Sequence, residues 1–315
     1  MALVNHSTPG TRGRGSGVPL KGLFAKRTSA DGETWKPVPL LDTTATGARL
    51  VLASAGPARK LAAVVARATF DIARDRLVFT PEHPWPAGTE AVETPWGTFP
   101  PDTPFPRQGI DVFVLGSAWQ PQRLPATELT LAIRVGAMLE RRIAVVGDRT
   151  WVRRDGSLVP GEPRQFVSMP LTYENAYGGR GAPNPLGKGF YASEAEALGQ
   201  PLPNLEDADA RIRSFADHPD PVATGPCLQR GGRSSLIIDP ERAPHPGTMV
   251  EITHATPDGA LRFALPDLRM HVRVADQLLP LRLDEIAVFT EPRRVSLAYR
   301  AEFEYTGADP RAEVS

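Results

Sequence analysis

The residues of this chain that could do catalytic chemistry are few and scattered. None of its six histidines stands one helical turn from another, as the ligands on a zinc hydrolase helix do. The single cysteine, Cys227, has no nucleophile motif around it, so a small buried thiol is the favoured interpretation. Ser117 follows Gly116, but the second glycine of a nucleophile elbow is missing, which argues against a serine hydrolase.

Three loop segments offer weaker signals for ligand binding. Residues 178–181 and 187–189 are similar to phosphate loops, but neither ends in Gly-Lys-Ser/Thr nor leads into a clear helix, so turns are favoured. Asp217 and Asp220 flank His218 and could bind a cation, although carboxylates in a proline-rich loop are usually solvated. The sequence therefore predicts no catalytic residue, no metal and no cofactor, and it predicts that the protein is not an enzyme.

The strongest local pattern is a shaped loop at residues 166–179, where an apolar run meets a polar tip and a double glycine. Tyrosine can bury its ring and still present its hydroxyl, and adjacent glycines allow a sharp turn or close backbone approach. Tyr173 continues the apolar run, so we expect Tyr173 and Glu174 to brace the loop from inside. Tyr177, just before Gly178 and Gly179, is expected nearer a partner.

Two more turn segments follow, at residues 184–189 and 202–206, each with an Asn or Pro beside an apolar anchor. Two interpretations remain open for all three segments, namely that they bind a partner or that they brace one another. The candidate residues for either role are Tyr173, Glu174, Asn175, Tyr177, Gly178, Gly179, Asn184, Pro185, Gly187, Gly189, Pro203, Asn204 and Glu206.

The elements that must position these loops are strands. Leu129, Leu131, Ile133 and Val135 alternate with polar or small residues, which predicts a half-buried strand. Similar strands are predicted at residues 64–72, 77–79, 112–115, 143–146, 250–252, 261–265, 270–274 and 295–303. Turn residues at 74–76, 147–148, 155–156 and 257–259 predict hairpins between neighbours.

Composition agrees with a mainly β fold, because 33 prolines and 28 glycines interrupt the chain too often for long helices. Ser193 with Glu196 predicts one short capped helix ending near Gly199. We expect two packed antiparallel β lobes, sandwich-like or barrel-like, at residues 21–160 and 248–305. A loop-rich recognition region at 161–247 bridges them, and a flexible lead (1–20) and tail (306–315) flank them.

Charge and targeting signals narrow the partner classes. Lys plus Arg and Asp plus Glu both number 36, so no net field favours nucleic acid or an anionic membrane. Residues 11–17 could form a basic arm, but two arginines among glycines favour a flexible lead. A lone cysteine, the lack of a signal peptide and the lack of about 18 consecutive apolar residues predict a cytoplasmic protein without membrane insertion.

The loop segments resemble domain-of-unknown-function family 2169, which is found beside type VI secretion genes in bacteria. The resemblance is carried by M-P-L-T-Y-E-N-A-Y-G-G at 169–179, N-P-L-G-K-G at 184–189 and L-P-N-L-E at 202–206. Further similar segments lie at 65–70, 111–118, 147–151 (the G-D-R-x-W turn) and 293–300. Many relatives carry a D-Q-R motif after the central loops, whereas this chain has Ile238-Asp239-Pro240-Glu241-Arg242 there.

This resemblance implies a cytoplasmic adaptor or chaperone, without a cofactor. Such a protein would bind a secreted effector toxin and bring it to the valine-glycine-repeat spike protein. If the D-Q-R motif contacts a partner, its absence implies a different partner for this chain. The alternatives are a structural spike-associated binding protein and, less favoured, a hydrolase.

Overall fold

A computed structural model describes most of the chain. The described residues are 27–28, 34–37, 40–42, 48–54, 60–81, 91–99, 101–102, 107, 109–222, 224–225, 236–274, 277–305 and 312–314. Cys227, residues 11–17 and the predicted lead at 1–20 lie outside them.

The fold is mainly β, as predicted. Its first strands are β1 (Arg27–Thr28), β2 (Thr34–Pro37), β3 (Leu40–Asp42), β4 (Arg49–Ser54), β5 (Lys60–Ala73), β6 (Arg76–Thr80), β7 (Val92–Thr94), β8 (Gly97–Phe99), β9 (Ile110–Leu115), β10 (Ser117–Trp119), β11 (Glu128–Val135), β12 (Leu139–Val146), β13 (Trp151–Arg154) and β14 (Ser157–Pro160). The remaining strands are β15 (Ser168–Pro170), β16 (Tyr177–Gly178), β17 (Lys188–Gly189), β18 (Leu205–Asp207), β19 (Ile237–Ile238), β20 (Met249–Thr256), β21 (Gly259–Ala264), β22 (His271–Val274), β23 (Gln277–Pro280), β24 (Arg282–Phe289), β25 (Arg294–Tyr305) and β26 (Ala312–Val314).

Helices are few and short. The α-helix of the described chain is α1 (Glu194–Ala197), and its N-cap Ser193 accepts a hydrogen bond from the backbone N–H of Glu196, as predicted. Three single 3-10 turns span Pro121–Arg123, Tyr173–Asn175 and Pro240–Arg242. Among the described residues, no helix is both long and apolar enough to cross a bilayer.

The largest sheet has nine strands in the described chain, in the order β1-β2-β4-β5-β25-β24-β9-β19, with β6 also paired to β5. Its centre is the long antiparallel pair of β5 and β25, in register from Lys60↔Tyr305 to Asp71↔Arg294. β24 pairs in parallel with β9, so the sheet is mixed rather than antiparallel throughout. This departs from the predicted antiparallel lobes.

A five-stranded sheet, β18-β12-β11-β20-β21, packs against one face of the large sheet. In the central strands of both sheets, alternate side chains lie in a shared apolar core, which is what period-two sequence patterns require. The core includes Val64, Ala66, Val112, Val114, Leu131, Ile133, Val250, Ile252, Phe263, Ile286 and Val288. The two packed sheets form a sandwich in the described part of the chain.

Most predicted hairpins are confirmed. β5–β6, β13–β14 and β20–β21 turn at residues 74–75, 155–156 and 257–258, within the predicted segments. The predicted hairpin across Gly147 and Asp148 is wrong, because β12 pairs with β11 and β18, while the strand that pairs with β13 in the described chain is β14. The turn instead carries the chain out of the sandwich.

The two sheets do not follow the predicted lobe boundaries. β24 and β25 join the sheet of β5 and β9, and β20 and β21 join the sheet of β11 and β12. The predicted tail also differs, since β26 pairs with β22 and β3 and buries Val314. Both ends of the described chain therefore contribute strands to the same sheets.

Candidate partner-binding region

The predicted recognition loop starts from the sandwich. β15 pairs with β10, and the chain then makes the 3-10 turn Tyr173–Asn175 before β16 pairs in parallel with β17. The Asn175 side chain donates to the Pro170 carbonyl at 2.9 Å, which closes this turn. The loop is ordered by its own contacts.

Asn184 holds the loop together from its centre. Its side chain is fully buried, and its Nδ2 donates to the carbonyls of Tyr173 (3.0 Å) and Tyr177 (3.1 Å). Its Oδ1 accepts from the backbone N–H of Gly187 at 3.1 Å. A buried amide with all these groups satisfied fixes the spacing of three chain segments.

Two glycines are required by close backbone approach. A Cβ on Gly187 would lie 2.5 Å from Asn184 Nδ2 and 2.7 Å from the Ala176 carbonyl oxygen. Gly189 has φ +104°, and a Cβ there would lie 2.6 Å from Pro203 Cδ. The N-P-L-G-K-G segment is thus glycine-rich because neighbouring segments occupy the space.

Several backbone N–H groups in and next to the two glycine segments are already used. Gly179 N and Gly187 N donate to the Asn184 carbonyl, and Phe190 N donates to the Gly178 carbonyl. A phosphate loop needs such N–H groups free to point at the ligand. The geometry therefore supports the turn interpretation.

Tyr177 is buried rather than presented to solvent. Its ring packs in an apolar cluster that includes Trp151, Leu158, Leu202 and Ile212, and its hydroxyl lies 2.7 Å from His218 Nδ1. Burial raises the pKa of the Tyr177 hydroxyl above its ordinary value. Tyr173 is half-buried and Glu174 is exposed.

The burial of the two tyrosines is therefore the opposite of what was expected. Tyr173 and Glu174 lie on the surface 3-10 turn. Pairing of β16 with β17 instead turns Tyr177 inward, into the apolar cluster that includes Trp151. The double glycine does not make an exposed tip directly after Tyr177, since Gly178 is buried. The exposed part of the loop comes later, at Arg180, Gly181, Pro183, Pro185 and Leu186.

The L-P-N-L-E segment is clamped to the G-D-R-x-W turn. Asn204 Nδ2 donates to the Val146 carbonyl at 2.8 Å and to Asp148 Oδ1 at 3.2 Å. Glu206, almost fully buried, is paired with both Arg149 and Arg211. These contacts make the two motifs one structural unit. Pro203 of this unit also packs against Gly189 of the N-P-L-G-K-G segment.

The acidic loop around His218 is also structural. Asp217 accepts hydrogen bonds from the backbone N–H groups of Arg213 and Ser214, both at 2.8 Å, and these bonds lower the pKa of its carboxyl. His218 is engaged with Tyr177. Within the ranges that the structure describes, no group of three or more His, Cys, Asp or Glu side chains could hold a metal ion.

A second feature, which the sequence analysis missed, is a buried charge network on the other face of the large sheet. Arg67, Glu285 and Asp111 lie in one row across β5, β25, β24 and β9, because the register pairs Arg67 with Ala298, Ala298 with Glu285, and Glu285 with Asp111. All three are almost completely buried.

Arginine–carboxylate pairs fill this network. Arg67 makes a bidentate pair with Asp102, at 2.9 and 3.1 Å, and lies 3.6 Å from Glu285. Arg107 reaches Asp111 (3.0 Å), Asp284 (3.4 Å) and Glu285 (3.4 Å). The sequence feature that could have revealed this network is the presence of charged residues inside otherwise apolar strands, since buried charges need partners.

Burial is the dominant influence on the carboxyl group of Glu285. It raises the pKa of Glu285 to about 7, against the opposing effect of Arg67 and Arg107. For Arg107, burial lowers the pKa but Asp284 and Glu285 raise it more, so the net pKa is above the ordinary value. Glu285 can thus hold a proton near neutral pH.

The strand β6 is an exposed edge. Within the described chain it pairs only with β5, and Val78 and Phe79 are 53% and 48% exposed. Phe79 also contacts the buried Phe70 edge-on, with ring centroids 5.9 Å apart. A half-exposed apolar edge strand is a template for pairing with another chain.

Comparison with known proteins identifies the family. No curated protein and no solved structure gives a significant match to this chain. A model of the family described as "Uncharacterized protein conserved in bacteria (DUF2169)" matches residues 58–231, which is more than half of the chain and includes the braced loops. The chain therefore belongs to the DUF2169 family of bacterial proteins.

Proposed function

We propose that this protein is a cytoplasmic adaptor or chaperone that binds a type VI secretion effector and delivers it to the valine-glycine-repeat spike protein. The proposal is that it works by holding its partner, not by turning it over. The type VI assignment rests on the family resemblance carried by the loop motifs at 169–179, 184–189 and 202–206.

The observation that carries the protein-binding part is the edge strand β6. Val78 and Phe79 leave about half of their surface exposed on a strand that pairs only with β5 in the described chain. A partner strand can gain main-chain hydrogen bonds there, while the exposed side chains give specificity. The rigid loop unit beside the sandwich adds a shaped surface at Arg180 and Leu186.

Co-expression with each effector encoded nearby tests the proposal. The effector should co-purify and its soluble yield should rise, without added nucleotide. Val78→Lys should weaken the complex about tenfold, which corresponds to about 1.4 kcal/mol, because a charge on the edge opposes strand addition.

Met249→Lys is the matched control. Met249 is 48% exposed, but its strand, β20, is paired on both sides, with β11 and β21. It should leave binding unchanged, and both variants should retain stability to within about 0.5 kcal/mol. Failure of every nearby effector to co-purify would reject the adaptor function, and wild-type affinity in Val78→Lys would reject the β6 edge as its site.

A further inference from the structure

A cavity of about 410 Å³ opens beside the charge network. Its wall is formed by the first residues of β24, the last part of β25, strand β23 and the start of β9. Ile110, Pro240, Leu279, Pro280 and Leu283 make its apolar lining. Arg107, Arg282, Asp284, Arg300 and Glu302 provide its charges.

Two arginines of this cavity stand directly opposite each other. The register of β24 and β25 pairs Arg282 with Arg300, and both line the cavity. Like charges at directly opposed positions destabilise a sheet. Arg300 is compensated by Asp284 at 3.2 Å and by Glu302 at 3.6 Å.

Arg282 has no such compensation. It is exposed, and in the described part of the chain its guanidinium has neither an ion pair nor a hydrogen bond, whereas Arg107 and Arg300 are both paired with Asp284. The cavity thus presents three guanidinium groups against two carboxylates. An anion that reached Arg282 would relieve the repulsion between the opposed arginines.

The chemistry of the wall selects among anions. A guanidinium binds a carboxylate through two parallel hydrogen bonds. One carboxylate, with a single negative charge, balances the one excess positive charge of the wall, whereas a phosphate of higher charge exceeds it. The apolar lining favours an anion that is attached to an apolar group.

We propose that this cavity binds one carboxylate carried next to an apolar side chain of a partner polypeptide. The polypeptide source rests on the proposed adaptor function. The carboxylate can come from the C-terminus of the partner or from an Asp or Glu side chain, and both place the same group against Arg282.

Fluorescence anisotropy with short labelled peptides at low salt tests this proposal. One peptide ends in Ala-Val-Leu with a free carboxylate, the second is its C-terminal amide, and the third is an amidated peptide with Glu between two leucines. We expect one carboxylate peptide to bind about tenfold more tightly than the neutral amide. Preference for the free C-terminus or for the internal Glu identifies the source.

The variant Arg282→Gln should remove most of this preference. Because Arg282 is exposed and unpaired, its replacement should not unfold the protein. Arg142→Gln is the matched control, since Arg142 is also an exposed strand arginine, without an ion pair in the described chain and outside the cavity. Equal binding of all three peptides, or an unchanged preference in Arg282→Gln, would reject the proposal.

The same variant separates this inference from the adaptor function. If Arg282→Gln captures the effector normally and no peptide preference exists, the cavity proposal fails while the adaptor function stands. If the peptides bind through Arg282 but no effector is captured, the adaptor function fails while the carboxylate site stands.

Discussion

Asn184, Asn204 and Glu206 show what the polar residues of the family motifs do. Each is buried, and each bonds to backbone or charged groups from other segments. A buried polar group that loses its partner costs about 1–3 kcal/mol, so such residues define one loop geometry. These three motif residues therefore brace the loops.

Tyr177 and Tyr173 provide a direct test at the residue scale. Tyr177→Ala should lower the free energy of unfolding by about 3 kcal/mol or more, because it removes a buried ring from the Trp151 cluster. Tyr173→Ala should cost clearly less, since Tyr173 is half-buried. Urea unfolding of both variants measures this difference, and a Tyr173 variant that is the less stable of the two would contradict it.

Tyr177→Phe serves as the conservative control. It keeps the ring but removes the hydroxyl that lies beside His218. The loss should be about 1 kcal/mol, the usual net contribution of one hydrogen bond. A loss as large as that of Tyr177→Ala would mean that the hydroxyl, and not ring burial, dominates.

At the scale of elements, local patterns were predictable and distant pairings were not. Leu129, Leu131, Ile133 and Val135 are buried as their period-two pattern predicts, and the turn residues of β5–β6 and β20–β21 lie where expected. In contrast, β12 pairs with β18, about sixty residues away, and nothing in either sequence specifies that choice. Register across distant strands depends on the assembled core.

The loop region shows the same limit. The sequence could predict from the aromatic residues that this region is ordered. It could not predict which of the two tyrosine side chains points into the protein. The orientation of these side chains depends on the parallel pairing of β16 and β17 and on Asn184, which lies between the two strands in sequence. The sequence analysis missed the buried charges of β5 and β24, and no local pattern specifies that Arg67 meets Asp102, 35 residues away.

Substitution of Gly189 tests how closely β17 packs against Pro203. Gly189→Ala should destabilise the protein strongly, because φ is +104° and the added Cβ would lie 2.6 Å from the Pro203 ring. Gly199→Ala is the matched control, with φ +80° and no atom within 4 Å of the added Cβ. It should cost about 1 kcal/mol from backbone conformation alone. Similar thermal unfolding midpoints for the two variants would contradict close packing at Gly189.

For the whole molecule, the two faces of the large sheet play different roles. One face shares the apolar core with the five-stranded sheet. The other carries the charge network and a smaller cluster of Phe99, Phe113, Leu115 and Phe289. Buried ion pairs add little net stability, but a charge that lost its partner would be costly, so the network penalises wrong strand registers.

The network also links folding to pH through Glu285. The pKa of this group is about 7 in the folded protein, mainly because of burial, whereas an unfolded chain gives about 4.3. At pH values between these two pKa values, Glu285 holds a proton in the folded state that it has lost in the unfolded state. By proton linkage, the stability contributed by this group is fully present below about pH 4.3 and is lost as the pH rises towards 7.

We therefore expect the free energy of unfolding to fall as the pH rises from about 5 to about 8, by up to roughly 3 kcal/mol from this group. Glu285→Gln should flatten this slope, because the amide stays neutral while Arg67, Arg107, Asp102, Asp111 and Asp284 remain. Urea unfolding at several pH values measures the slope.

Glu140→Gln is the control. The Glu140 carboxylate is paired with Arg134, but its side chain is 58% exposed and the ion pair is weak, so this variant should keep the wild-type slope. A wild-type slope in Glu285→Gln would show that Glu285 does not hold the proton.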